Sequence, residues 1–205
     1  QLDFSQVNMF LVNSEYLKVN VSLVITKCDL VSKEKRDYLY KKFSSWGYKP
    51  WLLSVVDEIG FKNFIIKLKM KKCSIFIGPS GVGKTTILNQ IIPNTNRSTS
   101  DVSKKIKRGK NTTRNIELFY LAKGSYIVDT PGFNMQTINL DVKNIAYLFP
   151  ELAKQLNEGE INCKFRDCLH ITEPGCQINK DFERYELYKE LVFNFKIHHS
   201  RNQED

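Results

Sequence analysis

No apolar run in this 205-residue chain approaches membrane-spanning length, and its first residues carry no basic segment followed by an apolar one. Neither a spanning helix nor a secretory leader is therefore signalled. No internal repeat recurs, which excludes a solenoid or propeller array. Cysteine is scarce: there are five, and three of them fall within residues 163–176, which argues against disulfides spread through the chain. Acidic residues are in deficit, 22 against 31 basic ones. The formal charge of +9 suits an anionic partner, through the field it makes and not through the fold. What is present is ordinary for a folded chain of one or two domains: 41% hydrophobic residues, 12% of all residues being aromatic, enough for a substantial core.

Against that background three short motifs stand out. The strongest is Gly78-Pro79-Ser80-Gly81-Val82-Gly83-Lys84-Thr85, followed by Thr86. It comes after Cys73-Ser74-Ile75-Phe76-Ile77, a β-rich apolar run of the kind found in buried parallel strands, and it can open a helix. Glycines let the backbone turn its N–H groups around an anion, which the helix N-terminus also favours. Lys84 would reach the β- and γ-phosphates of a nucleotide, and the Thr85 hydroxyl would bind Mg²⁺. The bland alternative is a flexible Gly-rich turn.

Thr26-Lys27-Cys28-Asp29 is weak alone, since four-residue matches are common, but it follows a strand-like run over residues 21–25. That places it at the carboxyl end of a strand, where open α/β sheets bind ligands. Asp29 can accept from the N1–H and exocyclic amino group of guanine, a donor pair adenine lacks. Lys27 can lay its methylene stem over the base, and Cys28 reads as a small buried hydrophobe. A solvated Lys/Asp turn is the competing reading. A third strand-like run covers residues 50–56; its Ser54-Val55 falls where GTPases close the base pocket with a Ser-Ala pair, or is a plain strand end.

Asp129-Thr130-Pro131-Gly132 ends a fourth apolar run. The Asp129 carboxylate can hold Mg²⁺ through water, and the Gly132 N–H can sense a γ-phosphate. Between the two phosphate motifs lies a polar stretch, residues 93–114, closing with Gly109-Lys110-Asn111-Thr112-Thr113-Arg114. A threonine there can complete the Mg²⁺ shell, Thr113 before Thr112, in the manner of a switch loop ordered by GTP. In an ordinary GTPase the base-reading motif follows the phosphate motifs. Here it precedes them, so the order predicts a circularly permuted guanine-nucleotide site.

Cys163, Cys168, His170 and Cys176 form a second constellation, spaced C-x4-C-x-H-x5-C. Three thiolates and an imidazole make a tetrahedral Zn²⁺ shell, which with four protein ligands would be structural. A disulfide or reduced buried thiols are the alternatives.

The motif order, the Gly109-x-x-Thr112-Thr113 sequence, Asp129 to Phe133, and the Cys/His cluster with Glu173-Pro174-Gly175-Cys176 together resemble the ribosome small-subunit-dependent GTPase A family, from about Leu2 to Tyr188. The resemblance implies GTP hydrolysis coupled to late maturation of the small (30S) ribosomal subunit and stimulated by the ribosome. It implies GTP or GDP with Mg²⁺, one structural Zn²⁺, and the small subunit and its rRNA as partners. The expected protein is a monomer off the membrane, in the bacterial cytoplasm or, for a eukaryotic host, an organelle stroma or matrix. The family's N-terminal OB-fold is expected to be missing, since the sequence opens on the leading segment of the G domain.

Two positions bear on catalysis. Asn111 stands where the family carries a His before the switch threonines; Asn can hydrogen-bond a water but cannot act as a base. Phe133 follows D-x-x-G where Ras-like enzymes place a water-orienting Gln. The expected catalytic set is Lys84, Thr113, Asn111 and Gly132, with slow intrinsic turnover. Thr26 also replaces the usual Asn of the base motif. A permuted GTPase acting on the large subunit and a nucleotide-gated RNA-binding module with little hydrolysis remain as alternatives.

The expected fold class is α/β: a circularly permuted P-loop GTPase domain over residues 1–137, doubly wound on a mostly parallel sheet, then a small zinc-binding, mainly helical domain over residues 138–205. Helical patterns cover 33–45, 59–70, 142–156 (interrupted at Pro150) and 181–196. Lys104, Lys105, Lys107, Arg108, Lys110 and Arg114 concentrate charge in the switch stretch. Lys67, Lys69, Lys71 and Lys72 read as a solvated helix end, and His198 and His199 as solvated tail residues.

Overall fold

The computed structural model describes residues 2–92, 117–129, 141–159 and 161–201. In chain order the elements are α1 (Phe4–Tyr16), β1 (Val24–Ile25), α2 (Lys33–Ser45), β2 (Trp51–Leu52), α3 (Phe61–Lys69) and β3 (Cys73–Phe76). Then come α4 (Lys84–Ile91), β4 (Glu117–Ala122), β5 (Ser125–Asp129), α5 (Pro150–Glu158) and α6 (Tyr185–Arg201), with 3₁₀ turns at Cys28–Leu30 and Val142–Leu148. Two compact units result: Leu23–Tyr40 with Pro50–Asn134, and Gln1–Ser22 with Lys41–Lys49 and Met135–Asp205.

The first unit holds the sheets. β1 pairs parallel with β2, and the ladder is extended by Trp51 N–H donating to Leu23 O (2.9 Å) and Leu53 N–H to Ile25 O (2.8 Å). β5 lies between β3, to which it is parallel, and β4, to which it is antiparallel. Expected strands over 21–25 and 50–56 thus shorten to pairs of residues, because the chain leaves the ladder for the site at Thr26 and Ser54. β4 was not expected; it forms a hairpin with β5 across Lys123-Gly124. Leu53, Phe61, Phe64, Leu68, Ile87, Leu88 and Ile127 make the core. α3 and α4 each contribute residues at helical spacing, and Ile127 supplies the center of the sheet.

In the second unit, Val12 of α1 joins Ile145, Leu148, Phe149, Leu152, Leu169, Ile178, Tyr188, Leu191 and Val192 in one core. Pro150 does interrupt the expected 142–156 helix. It leaves a 3₁₀ turn before it and takes the first position of α5, where a missing N–H costs nothing. Arg184 is wholly buried. It pairs with the Glu151 carboxylate through Nε (2.8 Å) and a second guanidinium nitrogen, donates to Asn8 Oδ1 (3.3 Å), and lies over the rings of Phe149, Trp46 and Tyr48. Three of its five N–H donors are thereby paired inside the core and its face is covered by aromatic rings, as a buried guanidinium demands.

Candidate nucleotide site and candidate metal center

Parallel pairing brings β3 and β5 to the same level. Phe76 is opposite Asp129, so the phosphate loop leaves the sheet beside the residue that opens the Asp129-Thr130-Pro131-Gly132 motif. That is the carboxyl end of both strands, where a ligand of an α/β sheet is expected. After β3 the loop turns through Gly81 and Gly83, with φ of +79° and +95°, and Gly83 caps α4. A Cβ added at either glycine would meet nothing within 4 Å. The requirement for glycine there is conformational, and the loop's open face leaves room for an anion to approach the backbone. Lys84 at the first helical position folds back to donate to Gly78 O (2.6 Å) and Pro79 O (2.9 Å), which keeps its ammonium within the loop.

The base-reading motif joins this loop across more than fifty residues of sequence. Thr26 Oγ1 donates to Val82 O at 2.7 Å, and Lys27 Nζ to Gly81 O at 2.9 Å. Lys27 adopts a left-handed backbone (φ 56°), rare for a side chain of its length and typical of strain kept at functional sites. Asp29 sits in the following 3₁₀ turn, and one carboxylate oxygen accepts the Ser54 hydroxyl at 2.6 Å. Ser54, itself buried, also accepts from Asp57 N–H (3.1 Å). A carboxylate offers about four acceptor sites, so capacity remains for two donors of a base edge. Cys28 is fully buried and its thiol pKa is pushed up by that burial, as suits an inert core position.

These groups surround a cavity of about 270 Å³ lined by Thr26, Lys27, Asp29, Val55, Val82 and Thr86, with Leu30, Leu53, Val56 and Ile87 as apolar walls. The last four carried no motif signal. They became visible only when the segments after Asp29 and Ser54 were brought together. Ser54 does not line the cavity; it holds Asp29, a role distinct from the expected pocket closure, while Val55 does line it. Thr85 lies exposed in the first turn of α4. Thr112, Thr113, Asn111, Gly132 and Phe133, and the side chain of Asp129, fall outside the described residues, as does the basic stretch 104–114. The side chains of His198 and His199 do so too.

In the second unit the ligand atoms of Cys163, Cys168, His170 and Cys176 all lie within 4.8 Å of one another. His170 Nδ1 is 3.7 Å from the sulfurs of both Cys163 and Cys176. Zinc–ligand bond lengths in a tetrahedron place S and N about 3.6 Å apart, so the four fit Zn²⁺. Burial depresses the His170 pKa, favoring the neutral imidazole that ligates metal. Burial, aided by the neighboring Cys176 and Cys163, pushes the Cys168 thiol up to about 12. Binding a dication here would therefore release protons.

The knuckle's backbone is held from several sides. Tyr188 Oη donates to Leu169 O (2.6 Å), Tyr185 Oη to His170 O (3.0 Å), and Lys180 Nζ to Ile171 O (2.7 Å). The Glu173 carboxylate accepts from Leu169 N–H (3.1 Å) and Ile171 N–H (2.8 Å). Its burial works to raise the pKa, but these backbone donors together outweigh burial and hold it low. Gly175 has φ +78°, and a Cβ there would come within 2.9 Å of Lys164 Cβ. Tyr185 and Tyr188 thus orient the residues around His170.

A family model described as the RsgA GTPase matches residues 1–139. The small ribosomal subunit biogenesis GTPase RsgA of Prochlorococcus marinus (strain NATL1A) is 44% identical over 188 residues, covering 92% of this chain and 60% of that protein. Its namesake in Synechococcus sp. (strain CC9605) is 41% identical over 187 residues, covering 91% and 61%. Among solved structures, YjeQ from Thermotoga maritima superposes with a TM-score of 0.70 at 28% identity, over 95% of this chain and 66% of that one. YloQ, a circularly permuted GTPase, gives 0.72 at 26% identity, over 97% and 64%. The chain thus spans about three-fifths of the length of the curated relatives it matches. With the base motif bonded to the phosphate loop that follows it in sequence, and the family match over 1–139, the chain belongs to the RsgA GTPase family and has its circularly permuted GTPase fold.

Proposed function

We propose that this chain binds GTP and hydrolyzes it to GDP and phosphate during maturation of the small ribosomal subunit, with Mg²⁺ at the phosphates and one structural Zn²⁺. The observation that carries the reading is the pair of bonds from Thr26 and Lys27 to Val82 and Gly81, which set a guanine-reading carboxylate and a phosphate loop around one cavity. Lys84 and the loop N–H groups hold the β- and γ-phosphates; Thr85, Thr113 and Asp129 serve the Mg²⁺ shell. Gly132 senses the γ-phosphate. Bound there, Mg²⁺ would supply charge neutralization for the transferred phosphoryl group. Cys163, Cys168, His170 and Cys176 hold Zn²⁺, which fixes the knuckle. The names of the relatives support the small subunit as partner, and the reading extends that contact to its rRNA. Among the described residues, no helix is long and apolar enough to cross a membrane. A monomer in the bacterial cytoplasm, or in an organelle interior, completes the reading.

GTP turnover by the chain alone, with small subunits and with large subunits, tests the proposal. Stimulation by small subunits only is expected; equal stimulation by large subunits would contradict the assigned partner. A second reading, a nucleotide-gated RNA-binding module that seldom hydrolyzes, is favored by Phe133 and Asn111, neither of which can act as the usual water-activating group. Single-turnover decay of bound GTP separates the two.

A further inference from the structure

Residues 59–92 contain no Asp or Glu. Within them, Lys62, Lys67 and Lys69 on α3, and Lys71 and Lys72 just after it, are all exposed, and among the described residues none of the five is ion-paired. Lys62, Ile66, Lys69 and Met70 follow one face of the helix at i, i+4, i+7 and i+8. Ile66 and Met70 are 59% and 74% exposed, unusual for apolar side chains on a helix whose Phe61, Phe64 and Leu68 already fill the core. The surface is also rigid. Ser125 Oγ donates to Leu68 O (3.2 Å) and Tyr126 N–H to Lys72 O (3.1 Å), which tie the end of α3 to β5.

The nucleotide does not account for these cations. Lys71 and Lys72 precede the amino end of β3, and the phosphate loop follows its carboxyl end, four strand residues or about 13 Å away. Nor do they merely complement the helix C-terminus. That role is filled within the last turn, by Lys67 and Lys69, and does not involve Lys62, Lys71 or Lys72.

We propose that this face of α3, with Lys71 and Lys72, is a docking surface for structured RNA: the lysines contact phosphates while Ile66 and Met70 pack against ribose or base edges. Charge complementarity selects that occupant. A lipid surface would require a broad apolar face, and the apolar face of α3 is spent on the core. The inference rests on the proposed function for the source of the RNA, and it is separable from it in test.

The test compares wild type with Lys62/Lys71/Lys72→Gln and with a charge-matched control, Lys18/Lys49/Lys123→Gln, which alters exposed lysines elsewhere. Binding of a fluorescein-labeled RNA stem-loop is followed from about 50 to 200 mM salt, with GDP binding as the check on folding. The patch variant should keep GDP binding, lose about tenfold or more in RNA affinity at low salt, and show a log–log salt slope shallower by roughly two to three. Lys62/Lys71/Lys72→Arg should restore both. Equal losses in patch and control variants, or none in either, overturn the proposal. So does patch-dependent binding to phosphatidylglycerol vesicles without RNA binding. If patch-dependent RNA binding persists while small subunits fail to stimulate turnover, the proposed function fails and the docking surface stands. Stimulated turnover with patch-independent RNA binding has the opposite meaning.

Discussion

Asp29 is the residue on which the proposed selectivity rests, and Ser54 is what points it. The 2.6 Å hydroxyl bond fixes the carboxylate at the cavity wall, while the left-handed Lys27 beside it turns its amine to Gly81 O. Removing a charged acceptor that would serve two base donors costs about 1.5–3 kcal/mol per bond, so Asp29→Ala should weaken GDP binding by roughly a hundredfold to ten-thousandfold. Ser54→Ala should cost less, about tenfold, because the carboxylate survives unpositioned. Titration calorimetry checks both; unchanged affinity in Asp29→Ala would remove the carboxylate from the site. Cys168→Ser should lower bound zinc well below one ion per chain and depress Tm, since a structural zinc contributes its binding energy to folding. Full metal occupancy in that variant would show that Cys168 is not a ligand. Each of these residues was legible in the sequence because chemistry restricts its type and spacing. Leu30, Val56 and Ile87 were not legible: any apolar residue can wall a cavity, and only the fold says which do.

At the scale of elements, α5 and α6 depend on a pair that sequence reading passed over. Arg184 and Glu151 lie 33 residues apart, and burial of the guanidinium among Phe149, Trp46 and Tyr48 leaves it no water. Removing one partner strands the other, so Glu151→Ala or Arg184→Ala should lower stability by about 3–5 kcal/mol. Urea denaturation measures it; a loss below about 1 kcal/mol would mean that the pair is solvated. α1 was hidden for a related reason. Its buried residues include Asn8, which meets Arg184, and Asn13, so polar side chains stand at core positions and blur the 3.6-residue period. β4 was missed because its hairpin partner carried the motif and drew the reading, although Lys123-Gly124 between two apolar runs is a turn signal. α2, α3, α4 and the break at Pro150 were readable, since periodicity and proline stereochemistry act locally.

For the molecule as a whole, permutation changes the order in which the pieces of the site are made and leaves the site's geometry intact. Parallel pairing of β1 with β2 and of β3 with β5 aligns the carboxyl ends of each pair, and a strand's place in the sequence does not enter into that. The order of motifs was therefore enough to foresee the fold class. The family match over 1–139 agrees with it. The central claim is that these reordered motifs form one guanine-specific site, and competition for a fluorescent GDP analog by unlabeled GDP and ADP, in wild type and Asp29→Ala, tests it most directly. The account predicts that GDP displaces the analog from wild type far more readily than ADP, and that Asp29→Ala narrows the gap by weakening GDP alone. Equal displacement by ADP, or a gap that survives loss of the carboxylate, would contradict it.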